Sequence, residues 1–506
     1  MSTAIVWFRQ DLRLADNPAL HAAIEQCEQI VPVFIDEASG NSGLLPKESS
    51  ASHVWLHHAL NNLQQRLLEK GVTLIFRRGD ALECLQQLQQ ETGATHLYWN
   101  RRYDPVGIRC DTEIKQQLSE VCEVRSFNGS LLSEPWAVLK KDGTPYKVFT
   151  AFWKMKRQLG FPELPLAEPL VINEQIPLVP PFTKGDALQP PLVFAEGHSP
   201  LKKGRRRGFK ASATLSLDDF GYLPKIRWDK TMMEAWETGE LTAHDALENF
   251  LNEQVPDYKA KRDFPASPAT SQLSPHLHFG TISPRQILNR AEAFLAENPG
   301  AETGVQCFLS EVGWREFAYY LLYHFPATTS ESLDKRFTAF PWRDPEEYQT
   351  DLIRWQQGQT GFPLIDAGMR QLWATGWMHN RVRMIVASFL TKNLLIPWQE
   401  GESWFRDTLV DADLASNTMG WQWVAGCGAD AAPYFRIFNP VLQSEKFDAS
   451  GDYIRKWVPE LRGITDKTIH QPWKREDEID YPDPITDLKA SRQRALEQFG
   501  IIKNAR

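Results

Sequence analysis

Apolar side chains in the first 135 residues come in short, β-branched runs: TAIVWF (3–8), QIVPVFID (29–36), VTLIFRRGD (72–80), THLYWN (95–100) and CEVRSFNG (122–129). Between them lie segments with a period near 3.6, such as SHVWLHHALNNLQQRLLEKG (52–71). Strand runs that alternate with helical segments predict a parallel, doubly wound, Rossmann-like α/β domain over 1–135. Sheets of this kind take ligands at the carboxyl ends of their strands, which puts Arg101–Asp104, just after the fourth run, where a ligand can lie. No G-x-G-x-x-G follows the first run, so a dinucleotide there is not supported.

From 136 to 225 the periodicity gives way to proline-rich and polar sequence, LPLAEPLVINEQIPLVPPF (164–182) and the basic run LKKGRRRGFK (201–210) included. This stretch reads as an interdomain connector, and so short a charged run reads as a solvated face. Beyond it the pattern is helical throughout, in AHDALENFLNEQ (243–254), PRQILNRAEAFLAEN (284–298) and GMRQLWATGWMHNRVRMIVASFLTKNLL (368–395). Residues 226–506 therefore form an all-α domain.

Composition narrows the class. A chain of 506 residues with 42% hydrophobic content can bury several large cores. The N-terminus has no signal-peptide pattern and no run of about 18 apolar residues occurs, so a cytoplasmic protein is expected, without a membrane partner. Six cysteines without C-x-x-C spacing point to reduced thiols, with neither zinc nor a disulfide framework. The net charge of -8 opposes a polyanion, so a nucleic-acid partner needs a local basic face. Tryptophan is abundant, with 18 copies, 13 of them beyond residue 225. Rings at that density pack cores, and they also serve stacking and electron transfer.

Three segments carry candidate chemistry. In FLSEVGWREFAYYLLYHF, Glu311, Trp314 and Arg315 fall at i, i+3 and i+4 and share one helix face; a Glu–Arg pair beside a core Trp is also common on any helix. In WMHNRVRMIVASFL, Trp377, Asn380, Arg381 and Met384 share one side. An amide, a guanidinium and a thioether suit a flat heterocycle, and equally a capping Asn and a core Met. His379 reads as a structural hydrogen-bonding residue. In LVDADLASNTMGWQWVAGCGADAAPYFRIFNP, Asp411 and Asp413 sit among apolar residues, where carboxylates need partners such as Arg383 or a ligand's donors. Paired acids also serve metals or glycoside chemistry, but no histidine cluster supports a metal.

Together with SQLSPHLHFGTISPRQ and the opening VWFRQDLRLADNPAL, these blocks closely resemble the photolyase and cryptochrome family, in its microbial class I and class III cyclobutane-dimer branch. The resemblance covers nearly the whole chain. It implies a light-dependent DNA repair enzyme, in which reduced FAD passes an electron to a flipped-out cyclobutane pyrimidine dimer and splits it. It also implies that FAD lies on Tyr258, Thr270, Ser271, Leu273, Ser274, Arg315, Arg383, Asp411, Asp413 and Asn417. Asp411 then pairs with Arg383, and Asp413 accepts hydrogen bonds from the flavin. Glu311, Trp314, Asn380, Arg381, Met384 and Trp423 match the pocket for the dimer, with Glu311 and Asn380 in catalytic positions.

Within the family, Asn417 faces the flavin's central ring, where repair enzymes of this branch carry an amide and plant cryptochromes an acid. The two histidines of enzymes that repair (6-4) photoproducts are absent from the Asn380–Met384 stretch. Trp421, Trp398 and Trp342 match the chain of rings that carries an electron to oxidised flavin. FPWRDPEEYQTDLIRW has three residues more between its tryptophans than the family spacing, so Tyr348 or Trp355 stand as alternatives to Trp342. Asn100 matches the folate pattern, but Arg101 follows it where an acid is expected, and RRYDP looks like the class III form of that loop. The antenna implied is methenyltetrahydrofolate, with a deazaflavin or none as alternatives. UV-damaged DNA is the expected partner, a monomer in the bacterial cytosol the expected state, and a photosensory cryptochrome the alternative function. Against that alternative the chain ends soon after its helical pattern, at KNAR, without a long polar tail.

Overall fold

The computed structural model describes residues 2–37, 50–161, 164–172, 215–431, 436–476 and 479–504. All five apolar runs form strands: β1 Thr3–Phe8, β2 Gln29–Asp36, β3 Ile75–Arg78, β4 His96–Asn100 and β5 Glu123–Phe127. They pair in parallel in the order β3-β2-β1-β4-β5, with Ile5 beside both Val31 and Leu97. β1 is central because both its faces are covered. Ile5 and Trp7 pack with Val33, Leu85 and Ile114 on one side. Ala4, Val6 and Phe8 pack with Leu20, Trp55 and Leu60 on the other. Burial on both faces is why the central runs of β1 and β2 are continuously apolar and do not alternate, whereas the edge strand β5 is half-exposed and carries Glu123 and Arg125.

The second of these cores continues into the helical domain, where Phe279 and Val410 join it. The chain after β1 is locked between the two domains. Arg13, fully buried, donates to the carbonyls of Gly280 at 2.8 Å and Asp16 at 2.7 Å, and to that of Gly129. The Glu240 carboxylate accepts from the N–H groups of Leu14 and Ala15, both at 2.8 Å. Gly280 has φ +69°, and a Cβ there would lie 2.1 Å from the Gln10 carbonyl oxygen, so only glycine allows the approach.

Two findings correct the sequence reading. The connector holds a helix, Phe149–Leu159, whose Phe149 and Phe152 pack on Phe317 and Tyr320. Its aromatic spacing was masked by the proline-rich sequence that follows. The long amphipathic stretch at 368–395 is not one helix. It breaks at Gly376, φ +66°, into Pro363–Thr375 and Asn380–Ser388. A side chain at Gly376 would press on Val410 and Met232, 2.8 and 2.9 Å from its Cβ. Trp377 therefore lies ahead of the second helix and not on its face. The basic run 201–210 lies outside the described residues. No strand occurs beyond 225 among the described residues, and no described helix is long and apolar enough to cross a membrane. The six cysteines are free thiols.

Candidate active site

Helices Glu302–His324, Asn380–Ser388, Trp398–Thr408 and Leu414–Ala425 enclose a cavity of about 500 Å³, the size of a cofactor or substrate site. The first presents Glu311, Trp314 and Arg315, as their spacing requires. The second presents Asn380, Arg381, Arg383 and Met384, and the fourth presents Asn417, Trp421 and Trp423. The cap of the second helix is His379, whose Nδ1 accepts from the Arg381 N–H at 3.2 Å. Asn380 is thus exposed on the first turn with its amide available to the cavity. Burial pushes the His379 imidazole down to about 4, which leaves it neutral at physiological pH.

In the cavity wall, one Asp411 oxygen accepts from Ser274 Oγ at 2.5 Å and from Arg383 Nη2 at 2.9 Å. Its other oxygen, Oδ1, is buried and has no partner among the described residues. A buried carboxylate oxygen beside a cavity requires a donor, and a ligand N–H or O–H meets that need. Asp413 faces elsewhere. It caps helix Leu414–Ala425 through the Ser416 N–H at 2.8 Å, accepts from the Tyr319 hydroxyl, and lines a separate small cavity with Asn100, Arg102 and Arg315.

The Asn417 amide nitrogen donates to the Glu402 carbonyl at 3.1 Å and to Glu402 Oε1 at 2.9 Å. The main-chain partner can only accept, so the Asn417 oxygen is the group left for the cavity. Burial pushes the Glu402 carboxyl up, against the nearby Arg406 guanidinium.

Glu311 is held by Arg262, whose guanidinium stacks over Tyr258 at 5.2 Å, and not by Arg315 one turn away. Arg315 instead reaches the Ser130 carbonyl at 2.8 Å, across the domain boundary. Arg381 pairs with Asp263 at 2.8 Å, and Trp423 Nε1 donates to the Asp430 carbonyl at 2.9 Å. The cavity wall thus unites Glu311, Trp314, Asn380, Arg381, Met384 and Trp423 with Ser274, Arg315, Arg383, Asp411 and Asn417. Tyr258 and Leu273 are buried outside the wall, and Thr270 and Ser271 lie in the loop before Ser274. Sequence reasoning missed Arg262 and Glu402. Arg262 follows a four-residue helix with no periodic signal, and Glu402 acts only through its contact with Asn417.

Trp421 reaches the cavity, and its ring rests on Gly401, where a Cβ would lie 2.0 Å from Cη2. Trp398, buried one turn earlier on that helix face, donates to Ser332 Oγ at 3.3 Å. Trp342 is half-buried against Phe340, with ring centroids 4.4 Å apart. Of the two alternatives, Tyr348 donates to Glu400 at 3.1 Å, whereas Trp355 is fully buried with its ring 6.2 Å from that of Trp421. Among the described residues no cluster of His, Cys, Asp or Glu has the arrangement of a metal site.

At the carboxyl ends of β1 and β4, Arg9 pairs with Asp111 at 2.7 Å and donates to the Asn100 carbonyl at 2.6 Å. Arg102 pairs with Asp104 at 2.9 Å, and Arg101 is taken up by Glu134. Asn100 donates to Asp11 and Asn17 at 2.6 and 2.8 Å. A cleft of about 60 Å³ remains beside them, between Phe34, Glu37, Tyr222 and Phe279.

Comparison with known proteins agrees with this architecture. Residues 4–169 match the family profile of DNA photolyase, and residues 308–500 that of the FAD binding domain of DNA photolyase. The chain is 43% identical to a deoxyribodipyrimidine photo-lyase of Agrobacterium fabrum, over 99% of this chain and 98% of that protein. It is 35% identical to cryptochrome-1 of Arabidopsis thaliana, over 99% of this chain and 71% of that protein. A crystal structure of a class III photolyase from Agrobacterium tumefaciens superposes with a TM-score of 0.87 at 43% identity, covering 100% of this chain and 98% of that one. On sequence, fold and cavity together, the chain belongs to the DNA photolyase and cryptochrome family.

Proposed function

We propose that the protein is a light-dependent DNA repair enzyme, a deoxyribopyrimidine-dimer lyase that returns cyclobutane dimers in UV-damaged DNA to two pyrimidines. The observation that carries this is one cavity whose wall joins an acid–arginine pair with a free buried oxygen to a ring-lined face bearing Glu311 and Asn380. The first half fits FAD: Arg383, Asp411, Ser274, Arg315 and Asn417 would hold it, with Asp411 Oδ1 as acceptor for a flavin donor. When bound and reduced, FAD supplies the light-driven electron that cleaves the dimer and takes it back, with no net redox change.

The chain's own residues do the rest. Trp314 and Trp423 offer ring faces to the extruded dimer, and damaged bases are cheaper to unpair and unstack than intact ones. Glu311, held by Arg262, accepts a hydrogen bond from a ring N–H of the dimer and so fixes the orientation of the dimer in the site. Asn380 and Arg381 meet base edges, and Met384 packs against the heterocycle. The Asn417 oxygen accepts but cannot give up a proton, which suits a reduced anionic cofactor. Trp421, Trp398 and Trp342 would carry an electron to oxidised flavin, with Tyr348 or Trp355, whose ring lies 6.2 Å from that of Trp421, as the alternatives to Trp342.

In this reading residues 226–506 carry catalysis, 1–135 an antenna and 136–225 the connection between them, in a monomer of the cytoplasm. The antenna is methenyltetrahydrofolate, as RRYDP suggests, with a deazaflavin or no antenna as the alternatives. The cleft at the ends of β1 and β2 supports a site there, although at about 60 Å³ it must widen to admit either pigment. The spectrum of pigment released on denaturing the purified protein separates the two. A cryptochrome-type photoreceptor is the second reading, favoured by the match to cryptochrome-1 and opposed by the Asn417 amide. The deciding experiment is light-dependent loss of dimers from UV-irradiated oligothymidine, with anaerobically reduced protein and a dark control. Repair under blue light alone is expected; intact dimers despite fully reduced bound FAD would overturn the assignment.

A further inference from the structure

A row of rings leads from the cavity wall onto the protein surface. Phe149 lies on Trp314 with ring centroids 3.7 Å apart and planes 13° apart, which covers one face of Trp314 and leaves the other to the cavity. Trp153 continues the row on Phe149 at 6.3 Å and 13°, followed by Phe161 at 5.7 Å. Gly313 is its seat: a Cβ there would lie 2.8 Å from Cδ2 of Trp153, so the indole rests directly on the helix backbone.

Phe149, Trp153, Lys154, Arg157, Gln158 and Ser310 line a surface groove of about 600 Å³. The groove begins next to Glu311, since Ser310 precedes it in the same helix. On the inner side of helix Phe149–Leu159, Lys156 is ion-paired with Glu316 at 2.6 Å. On the outer side Lys154 and Arg157 are exposed, and neither has an ion-pair partner among the described residues. In a chain of net charge -8, Lys154 and Arg157 place two exposed cations beside Phe149 and Trp153 on one groove. Aromatic rings flanked by cations are how proteins hold single-stranded nucleic acid, the rings meeting base faces and the cations meeting phosphates.

We propose that this groove holds the unpaired stretch of the damaged strand next to the dimer. Lys154 and Arg157 bind its phosphates, and Trp153 meets the face of an adjoining base. The inference rests on the repair reading, because a strand that delivers a dimer to Trp314 must leave the cavity over a neighbouring surface. Of the surfaces at that wall, this groove shares the ring row. Duplex DNA does not suit it, because a paired base keeps its faces inside the stack.

The test compares two single-stranded probes, a dimer dinucleotide and a dimer within a ten-nucleotide strand, by fluorescence competition against holoprotein. Lys154→Glu combined with Arg157→Glu, both on exposed positions, is expected to weaken the longer probe roughly tenfold or more and flatten its salt dependence, while the dinucleotide binds as to wild type. Trp153→Ala is expected to weaken the longer probe about tenfold, with Trp153→Phe restoring most of it. Equal affinity of wild type and the charge-reversed variant for the longer probe overturns the groove and leaves the repair reading intact. A wild-type protein that binds neither probe overturns both.

Discussion

The carboxyl edge of the sheet and the helical cavity are built from the same residue types, arginines and aspartates beside large rings, yet they differ in what those groups face. At the sheet edge Arg9 meets Asp111, Arg102 meets Asp104, and the Trp99 indole donates to Asp111 at 2.8 Å. Little room remains between them, about 60 Å³ in the adjacent cleft. In the cavity Arg383 meets Asp411 as well, but one carboxylate oxygen stays unpartnered and buried in front of about 500 Å³ of space. Motifs of charge and spacing read alike in the two regions. Buried polar atoms without a partner among the described residues occur in both regions, Arg9 Nε and Asn100 Oδ1 at the edge and Asp411 Oδ1 in the cavity. What separates a structural ion pair from a ligand site is therefore a volume able to receive the ligand.

Four substitutions or conditions break or sharpen this contrast. The largest effect is expected at the sheet edge, where Arg9→Ala leaves Asp111 buried without its cation and costs about 3–5 kcal/mol. A marked drop in melting temperature is expected; an unchanged melt would show that the Arg9–Asp111 pair does not hold this edge together.

Acid comes next. Burial pushes His276, like His379, down to about 4 from an ordinary value of 6.5. Above pH 6.5 both are neutral in the folded and unfolded chain and contribute no pH dependence. Below it the unfolded chain takes up protons that the folded one refuses, so stability falls as pH drops from 6.5 towards 4. The loss is up to about 3 kcal/mol for each histidine. Denaturation followed across that window is expected to show a shallower slope for His276→Gln than for wild type, and equal slopes would remove His276 from the account.

Asp411→Asn is expected to loosen flavin by about 2 kcal/mol, roughly 30-fold, at a melting temperature close to wild type. Retention of flavin at full affinity would mean that the unpartnered oxygen is not a ligand position. The smallest effect is expected for Glu311→Ala, about 1.4 kcal/mol or tenfold in dimer affinity or repair rate, with flavin content unchanged. If flavin is lost instead, Glu311 belongs to the cofactor half of the cavity and not to the substrate half.

Periodicity located the central strands and the helix faces because both-face burial and i, i+3, i+4 spacing leave local patterns in the chain. Glu311, Trp314 and Arg315 were grouped correctly on that ground. The break at Gly376 was not legible, because it depends on Val410 and Met232 approaching from distant segments. His379 was legible as a structural hydrogen-bonding residue, and the structure makes it the cap of the second helix in place of Asn380.

The sequence by itself determined the order of strands and helices, the all-α character of the second domain, and the acid, amide and ring content of its last blocks. Only the tertiary structure decided which partners those groups meet. It turned Asp413 into a helix cap and left Asp411 with a free oxygen, though the two stand two residues apart. It gave Glu311 to Arg262 and not to Arg315, and it set Glu402 behind Asn417. The physical reason is that a buried polar group takes whichever donor or acceptor packing brings within about 3 Å, and such partners come from segments that no spacing rule connects.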